Sequence, residues 1–112
     1  MLPRKARLSR EKEIKAVLKT KQYQAYTPTL RILAADNQQD NSRIVIVTPK
    51  KLGKANFRNR LRRRLAAAFA RLSPEIKRNI DIMAFPGRIL CDVPFDQIVT
   101  DFKGCLGRIS AL

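Results

Sequence analysis

The sequence predicts an α/β (α+β) two-layer sandwich: a small mixed sheet of about four strands with three helices. The chain has 112 residues, enough for one modest core and too few for two. Hydrophobic residues make up 45% of it, which excludes a compositionally disordered chain. Helical and strand-like patterns follow in the order helix, strands, helix, strand, helix, with no internal repeat or linker. We therefore expect a single domain over residues 1–112.

The first elements are a helix and a short strand. Ile14, Val17 and Leu18 repeat at helical spacing, which predicts a helix over residues 10–19. Residues 20–27 are polar with two tyrosines, and we expect a short strand there.

Two further strands are predicted before the middle of the chain. An apolar segment at residues 30–33 indicates the first, and it ends in an acidic, amide-rich turn at residues 36–42. Residues 43–48 give the strongest strand signal. Such a continuous β-branched run is typical of a central strand that is buried on both faces.

The second half of the chain predicts a long helix, a strand and a last helix. The long helix covers residues 55–72 and ends before Pro74, because the residue before a proline avoids helical angles. An apolar strand follows over residues 80–85. The last helix, over residues 94–106, is amphipathic.

The charge of the chain points to a polyanionic partner. Lys and Arg total 24 against 9 acidic residues, which gives a net charge of +15. A compact domain with this surplus repels itself, and nucleic acid is the commonest polyanion that would neutralise it. The alternative is a very soluble domain with a solvated basic surface. The basic N-terminus has no apolar stretch behind it, so we expect neither a signal peptide nor a membrane span.

The cysteines do not predict a metal site. Cys91 and Cys105 lack a CxxC spacing, and the chain has no histidine. We expect two reduced, partly buried thiols in a cytoplasmic protein.

Positive charge is concentrated in one segment. No acidic residue occurs between Asp40 and Glu75. This segment contains ten basic residues, which are Arg43, Lys50, Lys51, Lys54, Arg58, Arg60, Arg62, Arg63, Arg64 and Arg71. With no nearby carboxylate to neutralise them, they create a local positive field.

The long helix separates apolar from basic residues. At about 100° per residue, Leu61, Leu65, Phe69 and Leu72 fall on one stripe, which predicts the core face. The solvent face of the first two turns carries Asn59, Arg60, Arg62, Arg63 and Arg64. Guanidinium groups beside a helix N-terminus suit phosphate, because free amides and bidentate donors are presented together.

The residues from Lys50 to Arg63 read Lys-Lys-Leu-Gly-Lys-Ala-Asn-Phe-Arg-Asn-Arg-Leu-Arg-Arg. This stretch resembles the signature of the ribonuclease P protein family, a Lys-Lys-x-Gly turn followed by a helix that opens with Arg-Asn-Arg. The opening residues 2–8 and the strand and turn at 81–87 resemble that family too. The resemblance covers roughly residues 2–107. It implies an α/β sandwich whose strand–helix–strand crossover is left-handed, an exception to the usual rule.

The resemblance implies a division of labour between protein and RNA. The protein is expected to bind the ribonuclease P RNA subunit, and the RNA to hold the Mg²⁺ ions that cut the 5′ leader from precursor tRNA. No protein side chain is expected to be catalytic or to bind a metal or another cofactor. The predicted RNA-binding residues are Lys50, Lys51, Lys54, Arg58, Asn59, Arg60, Arg62 and Arg63.

The resemblance also implies a cleft for the single-stranded precursor tRNA leader between the first helix and the sheet. The predicted cleft residues are Ile14, Lys15, Leu18, Lys19, Arg31 and Ile32. Aromatic residues provide stacking surfaces there in the family, as in single-strand binders generally. At the matching positions this chain has Ile14 and Leu18 on the helix and Thr29 and Ile32 on the strand, so charge would contribute more than stacking. Core packing is the alternative role for Ile14, Leu18 and Ile32.

Two other functions compete with a ribonuclease P subunit. A ribosomal or ribosome-assembly protein would have a similar composition, and the Lys-Lys-x-Gly and Arg-Asn-Arg motifs argue against it. An autonomous nuclease would need acidic metal ligands or a histidine base. The aspartates at positions 81, 92, 96 and 101 are better explained by their local structural positions. We expect the protein alone to be monomeric and inactive.

Overall fold

The computed structural model describes residues 2–112, which form a four-stranded sheet with three helices. The helices are α1 (Glu11–Thr20), α2 (Ala55–Leu72) and α3 (Phe95–Arg108). The strands are β1 (Tyr23–Tyr26), β2 (Leu30–Asp36), β3 (Arg43–Ile46) and β4 (Ile80–Pro86). The predicted fold class is confirmed. Met1 belongs to the predicted domain but lies outside the described residues, and the single domain over 1–112 stays a prediction.

The sheet is mixed and has the order β1-β2-β4-β3. β1 pairs with β2 and β2 pairs with β4, both antiparallel, while β3 runs parallel to β4. Parallel neighbours need a crossover, and α2 provides it. The left-handedness of this crossover stays a prediction.

The prediction that residues 43–48 form a central strand is wrong, because β3 lies at the edge of the sheet. Its apolar run has another cause: Ile44 and Ile46 face the main core, whereas Val45 and Val47 face the α1 side. The edge is partly covered by the N-terminal segment, where Arg7 forms a parallel bridge with Ile44. Apolar contacts on both faces therefore do not require a central position.

The main core lies between the sheet and the α2–α3 layer. The predicted apolar stripe of α2 is confirmed, since Leu61, Leu65, Phe69 and Leu72 are all buried. Phe69 also packs against Phe102 of α3, with ring centroids 6.2 Å apart. None of the helices in residues 2–112 combines the length and the hydropathy needed to span a lipid bilayer.

α1 covers part of the opposite face of the sheet. Val17 of α1 packs in a smaller buried cluster with Leu33, Ala35 and Met83, and Leu8 joins them from the N-terminal segment. This cluster covers only one end of that face. The other end stays open, since Tyr26 and Arg31 are exposed there.

The two thiols are free, as expected. Cys91 is half-buried, and Cys105 is fully buried in the main core. Burial raises the pKa of the Cys105 thiol, which keeps it protonated and unreactive.

Candidate RNA interface

A tight turn brings three lysines to the start of α2. Gly53 has a φ of 147°, and a Cβ added to it would come within 3.1 Å of the Phe57 ring. Only glycine accepts this conformation and this contact easily. The turn places Lys50, Lys51 and Lys54 in solvent beside the first helical turn.

Arg60 and Arg63 are exposed arginines near the start of α2. Within residues 2–112 neither side chain has a hydrogen bond or an ion pair. All of their donors are free to bind an external anion.

Three other predicted residues are partly held by the protein itself. Arg58 donates from Nε to the Gly53 carbonyl at 3.2 Å. The Arg62 guanidinium donates to the Thr48 hydroxyl and to the side-chain oxygen of Asn59. These half-buried groups are orientated in advance, and Arg62 connects α2 to the end of β3.

Arg64 does not belong to the exposed basic face, although its position on the helix predicted that it would. Its guanidinium donates to the carbonyl oxygens of Leu90 at 3.2 Å, Cys91 at 2.9 Å and Val93 at 2.5 Å. It therefore fixes the loop before α3.

The positive charge of Arg43 is neutralised by carboxylates of the protein itself. Arg43 of β3 binds one carboxylate of β4 and one of α1. Its Nε and Nη2 donate to the two oxygens of Asp81 at 2.8 and 2.7 Å, and Nη2 donates to Glu13 of α1 at 2.9 Å. Asn37 donates to Asp81 as well, at 2.8 Å. The hydrogen bond to Asp81 raises the pKa of Arg43, against the opposing effect of burial. This network attaches α1 to the sheet.

The open end of the sheet carries a row of side chains across three strands. Tyr26 of β1 lies opposite Arg31 of β2, and Arg31 lies opposite Phe85 of β4. Because side chains alternate between faces, all three lie on the face of Leu33, the α1 side. Tyr26 is 71% exposed, and the Arg31 guanidinium lies 4.7 Å from the centre of the Phe85 ring.

This row leads to the start of α2. The amide of Val47 donates to the Ala84 carbonyl at 2.8 Å, so Val47 continues β3 beside Phe85. The next residue is Thr48, whose hydroxyl accepts from Arg62. The basic surface of α2 is therefore adjacent to the row of Tyr26, Arg31 and Phe85, which we call the aromatic row.

The structure places most of the predicted cleft residues around this face. Ile14 is half-buried against the α1 cluster, Leu18 is 45% exposed, and Lys15 and Lys19 are in solvent. Lys15 pairs with Glu11 at 3.0 Å on the helix surface. Arg31 is exposed on the same side of the sheet, and the role of these residues in leader binding stays a prediction.

The assignment of Ile32 to the cleft is wrong. Its side chain is fully buried in the main core, on the face that contacts α2 and α3. The strand alternates, so its neighbours Arg31 and Leu33 point to the α1 side instead. The alternative role, core packing, is the correct one for Ile32.

Within residues 2–112, no carboxylate forms an ion pair with a basic residue at the start of α2. Asp81 is bound to Arg43, and Asp101 accepts from the hydroxyl of Thr29 at 2.6 Å. Asp96 and Glu75 lie near Arg71 and Lys103 at 3.9 and 3.1 Å. No group of three or more carboxylates, thiols and imidazoles that could hold a metal ion occurs within residues 2–112.

Comparison with known proteins decides the family. The model of the ribonuclease P protein family matches residues 2–110. The chain belongs to the ribonuclease P protein family. The ribonuclease P protein component of Roseiflexus sp. (strain RS-1) is 39% identical over 85 residues, which cover 74% of this chain and 69% of that protein. The component of Pseudanabaena sp. (strain PCC 6903) is 31% identical over 114 aligned positions, covering 100% and 97% of the two chains.

A solved structure of the family has the same fold. The ribonuclease P protein of Thermotoga maritima superimposes with a TM-score of 0.81 at 28% identity, covering 92% of this chain and 96% of that one. The protein is thus a subunit of ribonuclease P, the holoenzyme that processes the 5′ end of tRNA, and it associates with the RNA subunit. The ribosomal alternative is not favoured.

Phe85 belongs to the candidate interface and was missed by sequence reasoning. β4 is almost wholly buried, so its sequence contains no polar alternation that would mark one residue as open to solvent. The signal that could have found it is register: a strand paired antiparallel with β2 must present one of its side chains beside Arg31.

Proposed function

We propose that the start of α2 binds the RNA subunit and that the open sheet face holds the 5′ leader of precursor tRNA. The observation that carries the proposal is the pair of exposed guanidinium groups of Arg60 and Arg63, which are flanked by lysines and form no ion pair with a carboxylate of residues 2–112. Guanidinium groups and lysines of this kind neutralise backbone phosphates, and counterion release then drives association.

The aromatic row supports the proposal for the leader. Single-stranded RNA is held by aromatic faces for its bases and by basic groups for its phosphates. Phe85 and Tyr26 supply the aromatic faces, and Arg31 supplies a charge between them. In this chain the aromatic contribution would come from the sheet, and α1 would contribute aliphatic contacts through Leu18.

We assign the cleavage step itself to the RNA subunit. The RNA subunit would hold the Mg²⁺ ions that activate water and stabilise the leaving oxygen. The buried Asp81 and the half-buried Asp101 are engaged by Arg43 and Thr29, which supports a binding role for the protein. We further propose that the protein is monomeric by itself and acts in the cytoplasm.

Reconstitution tests this function. The protein alone should leave precursor tRNA uncut in Mg²⁺. Added to a bacterial ribonuclease P RNA at low Mg²⁺, it should restore removal of the 5′ leader, because its positive charge replaces part of the counterion requirement. Cleavage by the protein without RNA would contradict the proposed division of labour.

Replacing Phe85 or Arg31 with alanine should weaken binding of leader-bearing precursor tRNA to the holoenzyme. Loss of one stacked base costs about 1–3 kcal/mol. Binding of mature tRNA, which has no leader, should not change. Affinities of both tRNAs for the reconstituted holoenzyme would measure the difference.

Arg78→Ala is the matched control for Arg31→Ala. Arg78 is also exposed and lies 5.4 Å from the centre of an aromatic ring, that of Tyr23, but Tyr23 packs on the other face of the sheet. The control should leave leader binding unchanged. An equal loss in both variants would mean that net charge, and not this row, determines leader affinity.

A further inference from the structure

An open cavity of about 240 Å³ lies beside the proposed RNA-binding helix and has no assigned role. The N-terminal segment, β3 and α2 form its walls. The segment is held against β3 by the Arg7–Ile44 bridge and by a hydrogen bond of 2.9 Å from the Leu8 amide to the Ile44 carbonyl. The cavity is thus built by backbone pairing.

The interior of the cavity is apolar. Leu2, Leu8, Ile44 and Ala66 line it, and the last three are each only 2% exposed. Pockets for drug-sized ligands run from about 300 Å³ upward, so this cavity suits a smaller group.

The rim of the cavity is basic. Arg7 and Arg62 lie at its mouth, and a second hollow lined by Arg4, Arg7 and Ser9 adjoins it. No carboxylate lines either hollow. Arg62 belongs to the α2 surface as well, so a molecule bound to that surface reaches the cavity without leaving the positive field.

We infer that this cavity receives one unpaired nucleobase of the RNA subunit, with the adjacent phosphates on Arg7 and Arg62. The inference rests on the proposed binding of RNA by α2. Folded RNA presents unstacked bases in loops and bulges, and proteins bind such bases with apolar and guanidinium surfaces. An uncharged lipid or an apolar peptide would gain nothing from the arginines, whereas a nucleotide uses both the apolar interior and the basic rim.

Filling the cavity tests the inference. Ala66→Leu places a larger side chain in the cavity, and Ala67→Leu makes the same change at the next position, which is exposed. Affinity of the full-length protein for the RNA subunit would be measured by filter binding over a range of salt concentrations. Ala66→Leu should weaken binding by about tenfold to a hundredfold, the scale of one stacked base, with an unchanged salt slope. Ala67→Leu should bind normally.

A change at the mouth separates cavity filling from misfolding. If the Ala66→Leu variant melts at a lower temperature than the wild type, Ser9→Leu is the variant to test instead. Ser9 also lines the cavity, is exposed and makes no side-chain hydrogen bond within residues 2–112. Wild-type affinity in both folded variants would overturn the inference. If the cavity variants bind normally but the Arg60→Gln, Arg63→Gln double variant loses binding, only the assignment of the cavity is wrong. If the arginine variant also binds normally, the proposed docking surface fails as well.

Discussion

Replacing Arg60 and Arg63 together with glutamine is expected to weaken binding of the RNA subunit by about 3–6 kcal/mol. This range assumes that each guanidinium makes one charge-assisted hydrogen bond to phosphate, worth about 1.5–3 kcal/mol. The slope of log affinity against log salt should also fall, by about 0.7–0.9 for each lost phosphate contact. Titration of the labelled RNA subunit at several salt concentrations would measure both quantities.

The control must remove the same charge elsewhere. Arg71→Gln with Lys103→Gln also removes two positive charges. Arg71 of α2 lies near Asp96, and Lys103 of α3 lies near Glu75, so both charges already have acidic neighbours. The control should keep nearly all of the affinity. If both double variants bind equally weakly, the protein attracts RNA through its total charge, and the start of α2 is no specific interface. Thermal stability should be unchanged in both, because all four side chains are exposed.

The basic face of α2 could be predicted from sequence because it depends only on residues that are close together in the chain. Apolar residues at a period of 3.6 define the buried stripe, and the charged residues must then occupy the other face. The helix bounds of 55–72 and the exposure of Arg60 and Arg63 followed directly. Gly53 and Pro74 mark its ends through backbone chemistry that the sequence also contains.

The partners of Arg43 and Arg64 could not be predicted in this way. Arg64 has the same helical position relative to the core as an exposed residue, and its three carbonyl partners come from a loop 26–29 residues away. Arg43 meets Glu13 and Asp81 only because β3 pairs with β4 and α1 crosses the same face. Whether an arginine binds RNA or the protein itself is thus decided by tertiary contacts.

The position of a strand in the sheet and the face to which its side chains point both depend on pairing with strands that are distant in the sequence. A short apolar strand looks alike at the centre and at a covered edge, so β3 was placed wrongly. The facing of Ile32 depends on the register with β4, since a shift of one residue reverses every side chain. The same register places Phe85 beside Arg31, a contact between residues 54 positions apart in the sequence.

Arg43→Ala is expected to destabilise the fold by about 3–5 kcal/mol. The side chains of Arg43 and Asp81 are 15% and 8% exposed, and removal of the arginine leaves a buried carboxylate without its counter-charge. Glu13 is released at the same time, so α1 loses its polar attachment to the sheet. A helix of ten residues depends on tertiary contacts for its stability, and the wall of the proposed leader cleft should loosen. Urea unfolding would measure the free energy of unfolding.

Two comparison variants test whether the unpaired carboxylate of Asp81 causes the loss of stability in Arg43→Ala. Arg43→Ala combined with Asp81→Asn should recover part of the lost stability, because the remaining amide needs no counter-charge. Arg78→Ala breaks an exposed pair with Asp36, at 3.9 Å, and should cost at most about 1 kcal/mol. If Arg43→Ala costs no more than Arg78→Ala, water reaches Asp81 well enough to solvate it. The position of α1 would then depend on its apolar contacts with β2 and β4 alone.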